Sequence, residues 1–349
     1  MQKILVIGSE GYLGSRIIEY LNSDYYKIVG IDVGYFRYGV LYNPKNILQI
    51  SKSSMDLSEK DLINYDVVLM LAGISNDPYG NLDYKEVYDP TRIYTIKIAK
   101  ICKKLGIRFI FPSSCSVYGI AKGKMDENGE TNPQTPYSLN KIQIERDLSD
   151  LADKTFSPIA LRLATVFGPS PRIRFDLVIN MLCGMAVVNK KIILNSNGQA
   201  WRPNVFIDDV CEAFKCCIDW KYDEGKLLVL NVGKNNNNMK IIGLAKIIQS
   251  KTENCNLIFL NDFPEEDKSG LYKDKKILDG IDKRTYQVNF DKILNKLPFY
   301  NPKWSVEEGI DNTLRSIKKW KLDEIKFRQR EFYRLQQMEY LFDTKQLYN

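Results

Sequence analysis

Histidine is missing from all 349 residues. That removes the side chain that most often serves as a general base, completes a nucleophilic triad or ligates a metal. Acid–base chemistry must therefore fall to Tyr, Lys, Asp, Glu or Cys. The seven cysteines are odd in number and contain no C-x-x-C pair, so they imply neither a disulfide framework nor a zinc site, and no metal is expected. No apolar stretch approaches the roughly 20 residues needed to cross a bilayer. The opening Met1-Gln2-Lys3 runs straight into Ile4-Leu5-Val6-Ile7, which is too short for a secretion signal and reads as a strand. A cytoplasmic protein is expected, with no membrane partner.

Large charge asymmetry is also missing. Fifty Lys and Arg face 43 Asp and Glu, a net charge of +7, and the two signs are interleaved. This is the pattern of a solvated surface rather than of a nucleic-acid footprint, although a mild positive balance helps gather an anionic small substrate. Hydrophobic residues at 44% and charged residues at 27% suit a folded chain of one large or two modest domains.

Short apolar runs at Ile4–Ile7, Ile28–Ile31, Val67–Leu71, Phe109–Phe111 and Ile159–Leu163 alternate with helical patterns at Tyr12–Leu21, Tyr94–Leu105 and Tyr137–Leu151. Runs this apolar are buried on both faces, so the alternation predicts an α/β fold, a doubly wound parallel sheet of Rossmann type. Pro169-Ser170-Pro171 breaks the pattern. Residues 1–170 are expected to form the dinucleotide-binding domain, with a later strand returning to it from about 205–235. Residues 171–349 would be mainly a smaller α/β substrate domain and a helical tail. Asn235–Asn238 reads as a turn. Ser305-Val306-Glu307-Glu308 is a capping box that announces a helix. The aromatic-rich tail beyond it suits packing on its own domain or on another subunit.

Gly8-Ser9-Glu10-Gly11-Tyr12-Leu13-Gly14 follows the first strand and opens the first helix. Glycines there permit a tight turn, close backbone approach to a pyrophosphate and helix–strand packing, while the helix N-terminus offers N–H groups to phosphate. Asp32 ends the second strand, where a carboxylate accepts bonds from the adenosine ribose and repels a 2′-phosphate. The cofactor expected is NAD rather than NADP.

Tyr137-Ser138-Leu139-Asn140-Lys141 sets a phenol and an ammonium on one helix face. Thr135 and Pro136 read as N-cap and first helical residue, which puts Tyr137 in the first turn. A neighbouring Lys⁺ and the helix N-terminus would lower the phenol from its ordinary pKa of about 10. In Phe111-Pro112-Ser113-Ser114-Cys115-Ser116-Val117-Tyr118-Gly119, small hydroxyl residues sit at the C-terminal end of a predicted strand, where ligands bind in such sheets. Ser114 is placed to hydrogen-bond the oxygen that Tyr137 deprotonates, and Ser113 to satisfy strand-end backbone.

With these motifs the chain resembles the extended short-chain dehydrogenase/reductases, specifically the NAD-dependent epimerase/dehydratase family that includes UDP-galactose 4-epimerase, up to about residue 315. The resemblance implies that Gly8, Gly11, Tyr12, Leu13, Gly14 and Asp32 bind NAD, with Asp56 and Leu57 at the adenine. Leu71, Ala72 and Gly73 would line the cofactor, and Ser114, Tyr137 and Lys141 would be the catalytic trio, the last two also touching the cofactor. It further implies that Ser116 and Thr165 face the substrate, that Arg202 grips the diphosphate of a nucleotide sugar with Arg284 as a second candidate, and that the protein is a homodimer built on helices near Tyr94–Leu105 and Tyr137–Leu151.

Departures from the family pattern narrow the reaction. Dehydratases and decarboxylases of the family carry an acid where this chain has Ser116, and epimerases that invert carbons beside a ketone pair a Cys with a His. A further departure is Thr91, where the family usually offers an Asn. The expected chemistry is oxidation of a sugar C4 hydroxyl, as a 4-epimerase passing through a bound 4-keto sugar. Net C4 dehydrogenation shares the first half-reaction, and a non-catalytic dinucleotide sensor or scaffold would keep only the fold.

Overall fold

The computed structural model describes residues 1–21, 24–75, 89–259 and 284–347. The first half runs β1 (Gln2–Ile7), α1 (Tyr12–Tyr20), β2 (Tyr26–Asp32), β3 (Leu48–Ser51), α2 (Glu59–Leu62), β4 (Val67–Met70), α3 (Asp89–Leu105), β5 (Arg108–Ser114), β6 (Ile120–Met125), α4 (Pro136–Leu151) and β7 (Ile159–Leu163). Then follow β8 (Thr165–Phe167), α5 (Val178–Asn189), β9 (Lys191–Leu194), β10 (Trp201–Phe206), α6 (Ile207–Asp219), β11 (Leu228–Val232), β12 (Asn238–Lys240), α7 (Ile241–Ser250) and β13 (Asn256–Phe259). The chain ends with β14 (Thr285–Val288), α8 (Asp291–Lys296), α9 (Val306–Lys319), α10 (Glu324–Phe327) and α11 (Arg334–Asp343).

Seven strands form one parallel sheet in the order β11-β7-β5-β4-β1-β2-β3. The strand order reverses between β1 and β4, which opens a crevice at their carboxyl ends. Both faces are covered, as the apolar runs require. Along β1, Ile4 and Val6 enter one hydrophobic cluster while Leu5 and Ile7 enter the other. Val67 and Leu69 of β4 alternate with Val68 and Met70 in the same way. The edge strand β3 escaped the sequence reading because its residues are largely exposed and Leu48 carries no core contact to give it a pattern.

Smaller sheets lie beyond the main one. In these β10 joins β8 and β12, β9 pairs with β13, and β6 pairs with β14. The Asn235–Asn238 turn is a fastener. Asn237 accepts from Val306 N (3.2 Å), and Asn238 exchanges bonds with both the N–H and the carbonyl of Val288 (2.8 and 2.9 Å). The Ser305–Glu308 capping box opens α9 as expected.

The tail packs on its own chain. Phe327 meets Phe175 edge-on at 4.9 Å, and Phe175 N donates to the Phe332 carbonyl at 3.0 Å. Gln337 Nε2 donates to the Tyr35 carbonyl at 2.9 Å, and the Arg334 guanidinium lies 3.5 Å from the Phe36 ring centroid. Phe332 is fully buried, so Phe332→Ala should cost about 3–5 kcal/mol in denaturant unfolding. An unchanged midpoint would show that the tail is not part of the core.

Candidate active site

The glycine turn is built as its sequence demands. Gly8 has φ +94°, and a Cβ there would lie 2.4 Å from Ala72 N. One on Gly14 would lie 2.2 Å from the Gly8 carbonyl oxygen. These two glycines hold the turn against β4 and against itself, whereas a Gly11 Cβ would meet only the Gly8 oxygen, at 3.2 Å. Gly11 is the N-cap of α1, so the N–H groups of Tyr12, Leu13 and Gly14 lie in the first turn and lack intrahelical acceptors. The Tyr12 side chain is buried and donates to the Gly168 carbonyl at 2.8 Å, which leaves its backbone for a ligand.

Asp32 sits at the end of β2, one oxygen accepting from Gly34 N (2.7 Å) and the other from Glu10 N (3.0 Å). Burial raises its carboxyl above the usual range, and those two N–H bonds oppose the rise. Leu71 N and Ala72 N both donate to the Ile7 carbonyl (2.8 and 2.7 Å), so they line the crevice beside the turn. Gly73 follows, and a Cβ there would lie 3.2 Å from the Thr91 methyl. Asp56 is exposed at the end of a 3₁₀ turn, and Leu57 beside it is fully buried. A dinucleotide fits this arrangement: the glycines clear the backbone, the helix end faces the crevice, and a carboxylate closes its far end.

Helix α4, which carries the candidate Tyr137 and Lys141, begins as read. Thr135 Oγ1 accepts from Ser138 N (3.2 Å), Ser138 Oγ accepts from Thr135 N (3.1 Å), and Pro136 is the first helical residue. Tyr137 thus stands in the first turn, with Lys141 Nζ 5.5 Å from its ring centroid. Two bonds fasten α4 to β5. Lys141 Nζ donates to the Pro112 carbonyl at 2.8 Å, and Ser113 Oγ donates to Glu145. Ser114 ends the same strand. Its hydroxyl donates to Ser116 Oγ (2.9 Å) and accepts from Ser116 N (3.1 Å), so Ser116 is a buried support for Ser114.

Beneath this trio lies a buried network that the sequence reading missed. Glu145 receives Arg162 Nη2 at 2.7 Å and Arg162 Nε at 3.0 Å. Arg162 Nη1 donates to Tyr118 OH (3.0 Å), and Tyr118 OH donates to Asn231 Oδ1 (2.8 Å). Cys115 is fully buried with Sγ on the Arg162 carbonyl, and burial pushes its thiol well up. Lys141 moves the other way. Burial lowers its ammonium to about 7, and Glu145 opposes the fall. The expected electrostatic help from Lys141 to the phenol therefore depends on the Glu145 carboxylate.

Further out, Thr165 opens β8, opposite Asn204 of β10. The two candidate diphosphate arginines meet: Arg202, buried on β10, donates through Nη1 to the carbonyls of Trp201 (2.9 Å) and Arg284. Arg174 was not anticipated. Its guanidinium pairs with Asp176 (both bonds 2.9 Å), bonds Ser75, and lies close enough to Tyr137 for the phenol to bear on its charge. Nothing in the run Pro171-Arg172-Ile173-Arg174 distinguishes it from a surface loop.

The profile of the NAD dependent epimerase/dehydratase family matches residues 4–233. The chain belongs to that family. Its members are NAD-dependent enzymes of the extended short-chain dehydrogenase/reductase type, and the parallel sheet and glycine turn described above are theirs. An uncharacterized UDP-glucose epimerase, YtcB of Bacillus subtilis (strain 168), is 26% identical over 266 residues, covering 71% of this chain and 83% of that protein. Among solved structures, UDP-glucuronic acid 4-epimerase from Bacillus cereus, in complex with UDP-glucuronic acid and NAD, superposes with a TM-score of 0.71 at 23% identity over 91% of this chain and 99% of that one. TunA, an NAD-dependent NDP-hexosamine 5,6-dehydratase, superposes with a TM-score of 0.76 at 18% identity over 91% and 98% of the two chains. Both structural likenesses speak to the fold alone.

The depressed Lys141 pKa carries a stability signature. Between about 7 and the ordinary lysine value of about 10.4 the unfolded chain binds a proton that the folded chain does not. Stability gained from this residue therefore rises with pH across that window. In cofactor-free protein, the Tm difference between Lys141→Met and wild type should be largest near pH 7, in favour of the variant, and should shrink toward pH 10. A difference independent of pH would contradict the buried, depressed ammonium.

Proposed function

We propose that this enzyme oxidises the C4 hydroxyl of a nucleoside-diphosphate sugar and returns the hydride to the opposite face, as a 4-epimerase. The observation that carries the reading is the composition of the site. Ser114 ends β5, and Tyr137 and Lys141 stand on the helix fastened to that strand; among the described residues no further acid–base group is seen set among them. Ser116, where elimination would call for an acid, is a buried hydroxyl tied to Ser114. Cys115 is fully buried with its Sγ on the Arg162 carbonyl, and histidine is absent.

In this reading Gly8, Gly11, Gly14 and the first turn of α1 hold the cofactor diphosphate, Asp32 the adenosine ribose, and Lys141 the nicotinamide ribose. Asp56 and Leu57 border the adenine. Bound NAD supplies a hydride acceptor, and the protein supplies the proton chemistry. Tyr137 removes the C4 hydroxyl proton while Ser114 donates a hydrogen bond to the same oxygen, which becomes the carbonyl of a 4-keto sugar. Arg202, joined to Arg284, anchors the diphosphate, so the sugar can turn while remaining bound. The names of its relatives favour a UDP-sugar, with residues 1–170 serving the cofactor and the later residues mainly the substrate.

Proton-NMR of UDP-glucose, UDP-N-acetylglucosamine or UDP-glucuronic acid incubated with the enzyme and trace NAD should reveal the C4 epimer of one of them without accumulation of NADH. Stoichiometric NADH would instead identify net dehydrogenation. Tyr137→Phe should lower turnover by about 10²–10⁴-fold and leave NAD affinity unchanged, since the ring that packs is retained. Wild-type hydride transfer in that variant would remove Tyr137 as the base. The family likeness also supports a homodimer through α3 and α4, and a monomer in sedimentation at micromolar concentration would contradict it.

A further inference from the structure

A carboxylate stands inside the glycine turn, where the backbone is expected to meet phosphate. Glu10 is buried, and its charge is fully occupied by two arginines from distant segments. Arg37, from the loop after β2, donates Nη2 at 2.9 Å and Nε at 3.1 and 3.2 Å. Arg172, from the segment after β8, donates Nη2 at 3.3 Å. Arg172 is 6% exposed, and its Nε is buried with no hydrogen-bond partner among the described residues.

This cluster adjoins Asp32. Glu10 N and Gly34 N are the two donors to the Asp32 carboxylate. Arg37 lies so near Gly34 that a Cβ there would stand 2.8 Å from Nη2. Arg334, contributed by α11, stacks on Phe36 in the same loop, and its buried side chain makes no hydrogen bond among the described residues. Three guanidiniums therefore surround the carboxylate assigned to the ribose. A 2′-phosphate there would be a dianion among Arg37, Arg172 and Arg334, and guanidiniums bind phosphate well. Asp32 alone would face that attraction.

We infer that Glu10 is a specificity-determining residue, which keeps Arg37 and Arg172 engaged and so denies them to the 2′-phosphate of NADP. Discrimination of this kind comes from the difference between two affinities, and it is achieved by withholding donors from the wrong ligand as well as by repelling it. Glu10 does the first and Asp32 the second. The inference rests on the assignment of Asp32 to the adenosine ribose.

Equilibrium titration of the full chain with NAD and NADP, without sugar, tests it. Glu10→Gln keeps the shape of the turn and removes the charge; Glu10→Ala removes both. In either variant NADP should tighten relative to NAD by about tenfold or more, the value of one released charge-assisted bond. Adding Arg37→Ala to Glu10→Gln should reverse most of the gain, while Arg37→Ala alone, at a half-exposed residue already engaged, should leave NADP binding weak. An unchanged NAD-to-NADP ratio in Glu10→Gln overturns the inference, as does a gain that survives loss of Arg37. Asp32→Asn separates the two levels. Improved NADP binding in that variant upholds the ribose assignment whatever Glu10 does, and no improvement removes the assignment itself.

Discussion

Burying a guanidinium together with a carboxylate is costly unless both find their hydrogen bonds, and Glu145 with Arg162 meets that condition beneath the active-site helix. Their side chains are 6% and 7% exposed. Arg162 spends three nitrogens on Glu145 and Tyr118, and Glu145 also accepts from Ser113. The pair ties α4 to β7, while Ser113 and the Lys141–Pro112 bond tie the same helix to β5. Tyr137 and Lys141 ride on that helix, and Ser114 on that strand. The distance from phenol to ammonium is set within the helix, but the placement of both against Ser114 is set by this buried network.

The same pair sets the electrostatics. Burial favours the neutral form of Lys141 and lowers its ammonium to about 7 even with a carboxylate beside it. Glu145, four residues on and one helical turn below, is the group that resists this. Arg162 in turn holds the Glu145 side chain through three contacts of 2.7, 3.0 and 3.2 Å, so a residue on β7 bears on the phenol through two intermediaries. That coupling favours a site whose charges are fixed by the fold before any ligand arrives, which is what electrostatic preorganisation requires.

What the sequence made legible is what depends on neighbours along the chain. The doubly buried strands, the glycine turn and the Thr135–Pro136 helix start are patterns within a few residues, and each stands where it was read. The Asn235–Asn238 segment was legible only as a turn, because its bonds reach Val288, Phe290 and Val306. Arg162 looked like one residue of a doubly buried strand, and its tie to Glu145 spans 17 positions. Arg202 and Arg284 were separate candidates until the fold brought them into contact across 82 positions. β3 was missed for the opposite reason: an exposed edge strand leaves too weak a periodicity.

The segment from Gly168 to Asp176 shows why the ends of the site cannot be treated separately. Gly168 accepts from Tyr12, Ser170 donates to the Tyr12 carbonyl and contacts Ser15, and Arg172 reaches Glu10. Two residues further, Arg174 pairs with Asp176 beside Tyr137, and Asp176 accepts from the backbone of Arg334 in the tail. One loop therefore touches the glycine turn, the Glu10–Asp32 cluster, the Tyr137 phenol and the C-terminal helix in succession. Its proline-flanked, arginine-rich sequence has no regular period because it packs against no single face. Each side chain in it answers to a different neighbour. The tail touches the loop after β2 through Arg334 and Gln337 and the segment beside Tyr137 through Asp176, so a helix outside the family match is joined to both ends of the candidate site.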